Sequence, residues 1–183
     1  MRRTIDPERL HPRSASPLVS LAAAVFAVLA ALGTLFAHHR SISALTLKNQ
    51  AILVQGRATD TYNAYEAKQI RFNIYQALLA TELARNAASR ARLEAIAEKE
   101  QSSSPAVLEK AQALEAQAEA ADERADVTLK SYETLQFATT FFEVAIVLVS
   151  ISALASARVL LPLGSAISAV GLIFFVAGLL QGR

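Results

Sequence analysis

Three stretches of about 21 residues, each almost free of charge, decide what this chain can become. Pro17–Ala37 reads PLVSLAAAVFAVLAALGTLFA and carries no charged residue. Phe137–Ala157, FATTFFEVAIVLVSISALASA, is interrupted only by Glu143, and Leu160–Leu180, LLPLGSAISAVGLIFFVAGLL, is again uncharged. A helix needs roughly 20 apolar residues to cross a hydrocarbon core about 30 Å thick. Backbone groups in lipid must satisfy one another, so continuous apolar runs of this length form helices. The sequence therefore predicts three transmembrane helices. Composition agrees, with 53% hydrophobic and 19% charged residues and a mean hydropathy of +0.31. A net charge of +2 gives no basic surface for nucleic acid. Because the chain has no Cys, it has no disulfide, no thiol chemistry and no Cys-based metal site.

The first apolar run exceeds the 7–15 residues of a typical secretory signal core, and Leu35 spoils the small-x-small pattern before Ala37. Asp6 and Glu8 in the leader 1–16 are also unusual for a signal, so 17–37 reads as an uncleaved signal anchor. Arg2, Arg3, Arg9 and Arg13 precede it. Arg40, Lys48, Arg124, Lys130 and Arg183 on the opposite side make the overall count nearly even, but the first helix usually dominates, which favours a cytoplasmic N-terminus, and long domains translocate largely regardless of charge. The segment 38–136 is thus expected on the far side of the membrane, followed by span 137–157, a short loop 158–162, span 163–180 and a tail 181–183.

The segment 38–136 holds one Gly, Gly56, and one Pro, Pro105, amid Ala, Glu, Gln, Arg and Leu, all strong helix formers. Its twelve basic and thirteen acidic residues are interspersed, and it has no strand signal. It reads as a helical hairpin. QSSSP at Gln101–Pro105 looks like a break followed by a new helix start. Reversal of the chain is therefore expected within 86–105, with a short helical piece there; a tip near Asn86–Ser89 or a bend at Gly56 would balance the arms. On the descending arm Leu108, Ala111, Leu114, Ala118, Ala121, Ala125 and Leu129 form a seam that permits close approach. Ala58, Tyr62, Tyr65, Ile70, Phe72, Ile74 and Ala77 give the ascending arm a broader face. A two-helix hairpin covers little surface, so these faces want further copies or another protein.

Gln50–Tyr75, QAILVQGRATDTYNAYEAKQIRFNIY, resembles the signature of the bacterial family known as domain of unknown function 4337, approximately Q-A, then D-x-W-x-x-Y-Q-A-K-x-I. Asp60, Tyr65, Ala67, Lys68 and Ile70 match, whereas Tyr62 replaces the usual Trp and Glu66 the usual Gln. FFEVAIVLVSISALA resembles that family's second span, where Gln more often holds the place of Glu143, and GLIFFVAGLL resembles its third. The resemblance implies a small bacterial inner-membrane protein with one N-terminal and two C-terminal spans. It implies no activity.

The residues that could carry chemistry are few. Asp60, Asn63, Glu66 and Lys68, with Tyr62 and Tyr65 between them, would cluster on one helix at three- and four-residue spacing. That pattern suits a polar ligand or ion site, and equally suits helix pairing with tyrosines packed on the partner arm. Glu143 is the sharpest anomaly. A carboxylate near the bilayer centre costs at least ~2.5–3.5 kcal/mol on insertion scales, so it is expected to be protonated, paired or facing water. It could line an ion pathway or sit at the headgroups. His38 and His39 project apart on a helix and suit interfacial anchoring better than a shared metal. Gly164, Ser168, Gly171 and Gly178 suit close helix packing in lipid.

No phosphate loop, nucleophile elbow, H-E-x-x-H or nucleophile–base pair occurs, so no catalytic residue, metal or cofactor is expected. The sequence reads as an all-α integral membrane protein with an extramembrane, coiled-coil-like hairpin. Its expected role is non-enzymatic: an oligomeric scaffold or accessory protein whose partners are lipid and further copies or another membrane protein. A homo-oligomeric channel using Glu143, or a helical-bundle sensor of an unknown small molecule acting through a partner, are the alternatives.

Overall fold

The computed structural model describes residues 17–81, 86–155 and 159–181. All of its regular structure is helical: α1 (Pro17–Ala80, 64 residues), α2 (Ala87–Ala155, 69 residues) and α3 (Leu160–Gln181, 22 residues). Each helix contains a stretch long and apolar enough to cross a membrane. The boundaries drawn at 37/38 and 136/137 mark changes of composition, because α1 and α2 run through them without a break.

Two expectations about the middle segment need correction. QSSSP is not a break: α2 continues through Gln101–Pro105. The hydroxyls of Ser102 and Ser103 donate to Lys99 O, and Ser104 donates to Glu100 O at 2.8 Å, so the serines serve the helix rather than end it. Ser104 is also buried, at one of the small positions that face the other arm. α1 instead ends at Ala80 and α2 begins at Ala87, so the helices part at the very start of the expected window, next to the tip considered near Asn86–Ser89, and no separate short helical piece follows. Thr81 closes α1 by bonding Leu78 O through both its N–H and its hydroxyl, and Asn86 caps α2 by accepting from Ala88 N at 3.0 Å. This position makes the arms nearly equal without a bend at Gly56.

Residues 160–162 of the expected loop 158–162 are helical, since α3 begins at Leu160 and holds Pro162 in its first turn, where a missing N–H leaves no bond unmade. The leader 1–16, Arg158 and the last two residues lie outside the described residues.

The chain forms two compact units, Met1–Ile42 with Val127–Arg183, and Ser43–Asp126. Small residues recur every seventh position on all three helices. On α1 the buried alanines are Ala30, Ala37, Ala44, Ala51 and Ala58; on α2 the matching series is Ala97, Ser104, Ala111, Ala118 and Ala125. On α3 it is Gly164, Gly171 and Gly178. A seven-residue period holds one line of a helix against its neighbour.

In the unit Ser43–Asp126, α1 and α2 run antiparallel with alanine facing alanine. In the other unit α2 is the central element. Its buried line of Ser131, Leu135, Ala138, Phe142, Ala145, Val149 and Ser152 receives α3 antiparallel. Ala30 of α1, Ala138 and Phe142 form a small core packed by Leu29, Ile146 and Phe175.

Candidate functional site

The antiparallel pair is pinned by polar contacts along the edges of its alanine seam. Lys48 Nζ lies 2.6 Å from Asp122 Oδ1 and 2.8 Å from Asp126 Oδ1. Tyr62 donates to Glu115 Oε2 at 2.7 Å. Lys68 donates to Ser103 Oγ at 2.7 Å and to Glu100 Oε2 at 3.2 Å, with Arg71 at 3.4 Å from the same oxygen. Hydrogen bonds donated to Asp122 and then Asp126 hold the Lys48 ammonium above its ordinary range. The Glu115 carboxylate does the same to the Tyr62 phenol, and the hydrogen bond from Lys68 holds Glu100 below the usual carboxylate range.

This geometry divides the cluster expected around Asp60. Tyr62 and Lys68 face the second arm, and Tyr65 is half-buried. Asp60, Asn63 and Glu66 are exposed and bond no other described residue. The six side chains therefore do not converge on one point. What sequence reasoning missed were the partners: Lys48 on α1, and Glu100, Ser103, Glu115, Asp122 and Asp126 on α2. The seven-residue alanine repeat was the available signal, since it fixes which flanking positions meet.

Beside the Lys48 contacts lies an open groove of about 610 Å³, with Ala51, Ile52 and Ala118 in its apolar lining and Glu119, Glu123 and Asp126 on its acidic side. Among the described residues, no group of three or more His, Asp or Glu side chains could hold a metal ion.

In the unit built from Met1–Ile42 and Val127–Arg183, the α3 glycines are contact points. A Cβ at Gly178 would come within 2.8 Å of Leu135 Cγ. At Gly171 it would meet Phe141 Cβ at 3.0 Å, and at Gly164 it would meet Val149 Cγ2 at 3.0 Å. Ser168 is buried on the same helix. Ser131 donates to Gly178 O at 2.7 Å, and Phe36 and Phe142 each pack edge-on against Phe175.

The pairing register sets the level of Glu143. Gly171 lies against Ala138 and Phe142, and Gly164 against Ala145 and Val149, so Glu143 is level with the stretch Ser168–Val170. That is about nine residues, or ~14 Å of helical rise, from the Leu160 end of α3. Glu143 is exposed, points away from both neighbouring helices, and bonds no other described residue.

Three helices of membrane-crossing length, with small residues at their contacts and aromatic side chains packed between them, define a helical membrane protein. Within that class, the chain belongs to the family described as domain of unknown function (DUF4337), whose sequence model matches residues 16–181. No curated protein and no solved structure matches it.

Proposed function

We propose that this chain is a non-enzymatic, self-associating scaffold of the bacterial inner membrane. In this reading 17–37, 137–157 and the whole of α3 span the bilayer, and the antiparallel pair is an extramembrane, coiled-coil-like hairpin on the periplasmic side. The observation that carries it is the outer surface of the pair. Its small residues face inward, while large aliphatics stay outside: Leu45, Ile52 and Leu53 are each more than 60% exposed. A solvated two-helix arm that keeps such a ridge in water is built to cover it with a partner. The acidic groove beside Ile52 supplies a polar border of the kind that rims docking surfaces.

Native mass spectrometry of the full chain in mild detergent tests this directly. A single discrete oligomer is expected, and one that Ile52→Glu with Leu53→Glu weakens. A monomer, in both detergent and lipid nanodiscs, overturns the reading.

The level of Glu143 favours a second reading, a homo-oligomeric ion pathway lined by this carboxylate. Loss of any measured conductance in Glu143→Gln would support it, and an unchanged conductance would remove it.

A further inference from the structure

Where α2 passes from its charged stretch into its apolar one, a pocket of about 490 Å³ opens between α2 and the end of α3. Lys130, Glu133, Thr134 and Phe137 line it from α2, and Phe174 and Gln181 line it from α3. The four α2 residues follow one another at steps of three, one and three, so they share one face of the helix. They are also graded along it: two charges, then a hydroxyl, then a phenyl ring. Helix α3 repeats the order within seven residues, with Gln181 at the polar end and Phe174 at the apolar end.

This gradient fits the profile of a bilayer surface. From Lys130 to Phe137 the helix rises ~10 Å. The polar layer outside the hydrocarbon core is about 5–8 Å thick on each side. With 137–157 and α3 in the bilayer, the charges stand among headgroups while the rings reach the first acyl carbons. Phe137 is 58% exposed, and the Phe137 and Phe141 rings lie 6.2 and 5.5 Å from Phe174, an aromatic wall with one side open.

The polar end has bonding capacity left over. The Thr134 hydroxyl lies 2.9 Å from Gln181 Oε1, which ties the two helices together and leaves the amide N–H groups of Gln181 able to donate. Lys130 and Glu133 are exposed, and their side chains bond no other described residue.

We infer that this pocket seats one phospholipid with a zwitterionic, primary-ammonium headgroup, of the phosphatidylethanolamine class. Lys130 and the Gln181 amide hold its phosphate, Glu133 accepts from its ammonium, and an acyl chain lies along Phe137 and Phe174. Charge complementarity selects this occupant. One cation and one anion three residues apart match a head that carries one of each. An anionic head brings no cation for Glu133, and a quaternary choline head has no N–H to donate. The inference rests on the two C-terminal spans proposed above and is independent of self-association.

The chain has no Trp, so Phe137→Trp gives a single indole in the pocket, and Val28→Trp gives one at an exposed position away from it. Each full-length variant is reconstituted in vesicles of equal parts phosphatidylethanolamine and phosphatidylcholine, with bromine on the acyl chains of one lipid or the other. In Phe137→Trp the brominated phosphatidylethanolamine is expected to be favoured about two- to fivefold as quencher, the size of an exposed ion pair. In Val28→Trp the two lipids should quench equally. Adding Glu133→Gln to Phe137→Trp should abolish the preference, whereas adding Glu109→Gln, at an exposed carboxylate outside the pocket, should leave it unchanged.

Equal quenching by the two lipids in Phe137→Trp overturns the inference. So does the same preference in Val28→Trp, a preference that survives Glu133→Gln, or stronger quenching by brominated phosphatidylglycerol. Quenching in Val28→Trp with none in Phe137→Trp means that protein covers the pocket, which overturns the lipid site and leaves the scaffold reading intact. No quenching in either variant removes the spans, and the site with them.

Discussion

The two units use one spacing and fill it in opposite ways. In Ser43–Asp126 alanine meets alanine, and charged side chains pin the edges of the seam. In the unit that holds α3, glycine meets Leu135, Phe142 and Val149, and the contacts are knobs set into backbone gaps. In the proposed topology, the difference would follow from the solvent each unit is built for. Beside water, burying a methyl group is favourable and ion pairs at the rim are easily solvated. In lipid, apolar tails are no worse a neighbour than leucine, so association depends on shape and on close backbone approach.

The largest effect should come from Gly178→Leu. Even a Cβ there meets Leu135 at 2.8 Å, so an isobutyl group forces α3 off α2, and overpacking of this kind costs roughly 1–3 kcal/mol or more. Thermal unfolding in detergent should show a much lower midpoint; an unchanged midpoint would mean that α3 packs elsewhere.

Ala58→Leu tests the other filling. Ala58 is fully buried, so a larger side chain there overpacks the seam, and a cost of roughly 1–3 kcal/mol is expected. Should Ala58→Leu prove the more damaging of the two, the contrast between the seams would be reversed.

Acid should separate the units further. Because Glu100 ionises below the usual range in the folded arm, folding binds fewer protons than the unfolded chain. Its contribution is complete above the unfolded value of about 4.3 and is lost as pH falls through the lower folded value. Hydrogen exchange at pH 3 should rise around Glu100 and Lys68 while the Gly171 region stays protected. Glu100→Gln should remove the contribution of this residue to the pH dependence.

The smallest effect is a gain. A Cβ at Gly56 would touch nothing within 4 Å, so Gly56→Ala should stabilise the arm by at most about 1 kcal/mol through helix propensity alone. A loss would mean that the open side of Gly56 is covered by another chain.

The apolar runs made the helical class legible because backbone in lipid has so few options. Family membership was legible from Asp60, Tyr65, Ala67, Lys68 and Ile70. The chain reversal was legible only in part, because QSSSP has a loop-like composition. Serine is also a small residue that fits a close seam, and only the series Ala97, Ser104, Ala111 distinguishes the two meanings. The sequence also suggested a polar cluster that the fold divides, since Asp60 and Lys68 share a helix without sharing a face. Glu143 was legible as an anomaly, but its level required the glycine contacts of α3.

The alanine ladder has a consequence for information rather than for energy. Alanine has no rotamer to lose and no shape to distinguish one rung from the next. A shift of seven residues would therefore present the same surface again. The ladder tells the arms that they meet but not where. That message is written by Lys48, Tyr62 and Lys68, which find their partners at one setting only. A few polar groups thus act as the address on an otherwise uniform track.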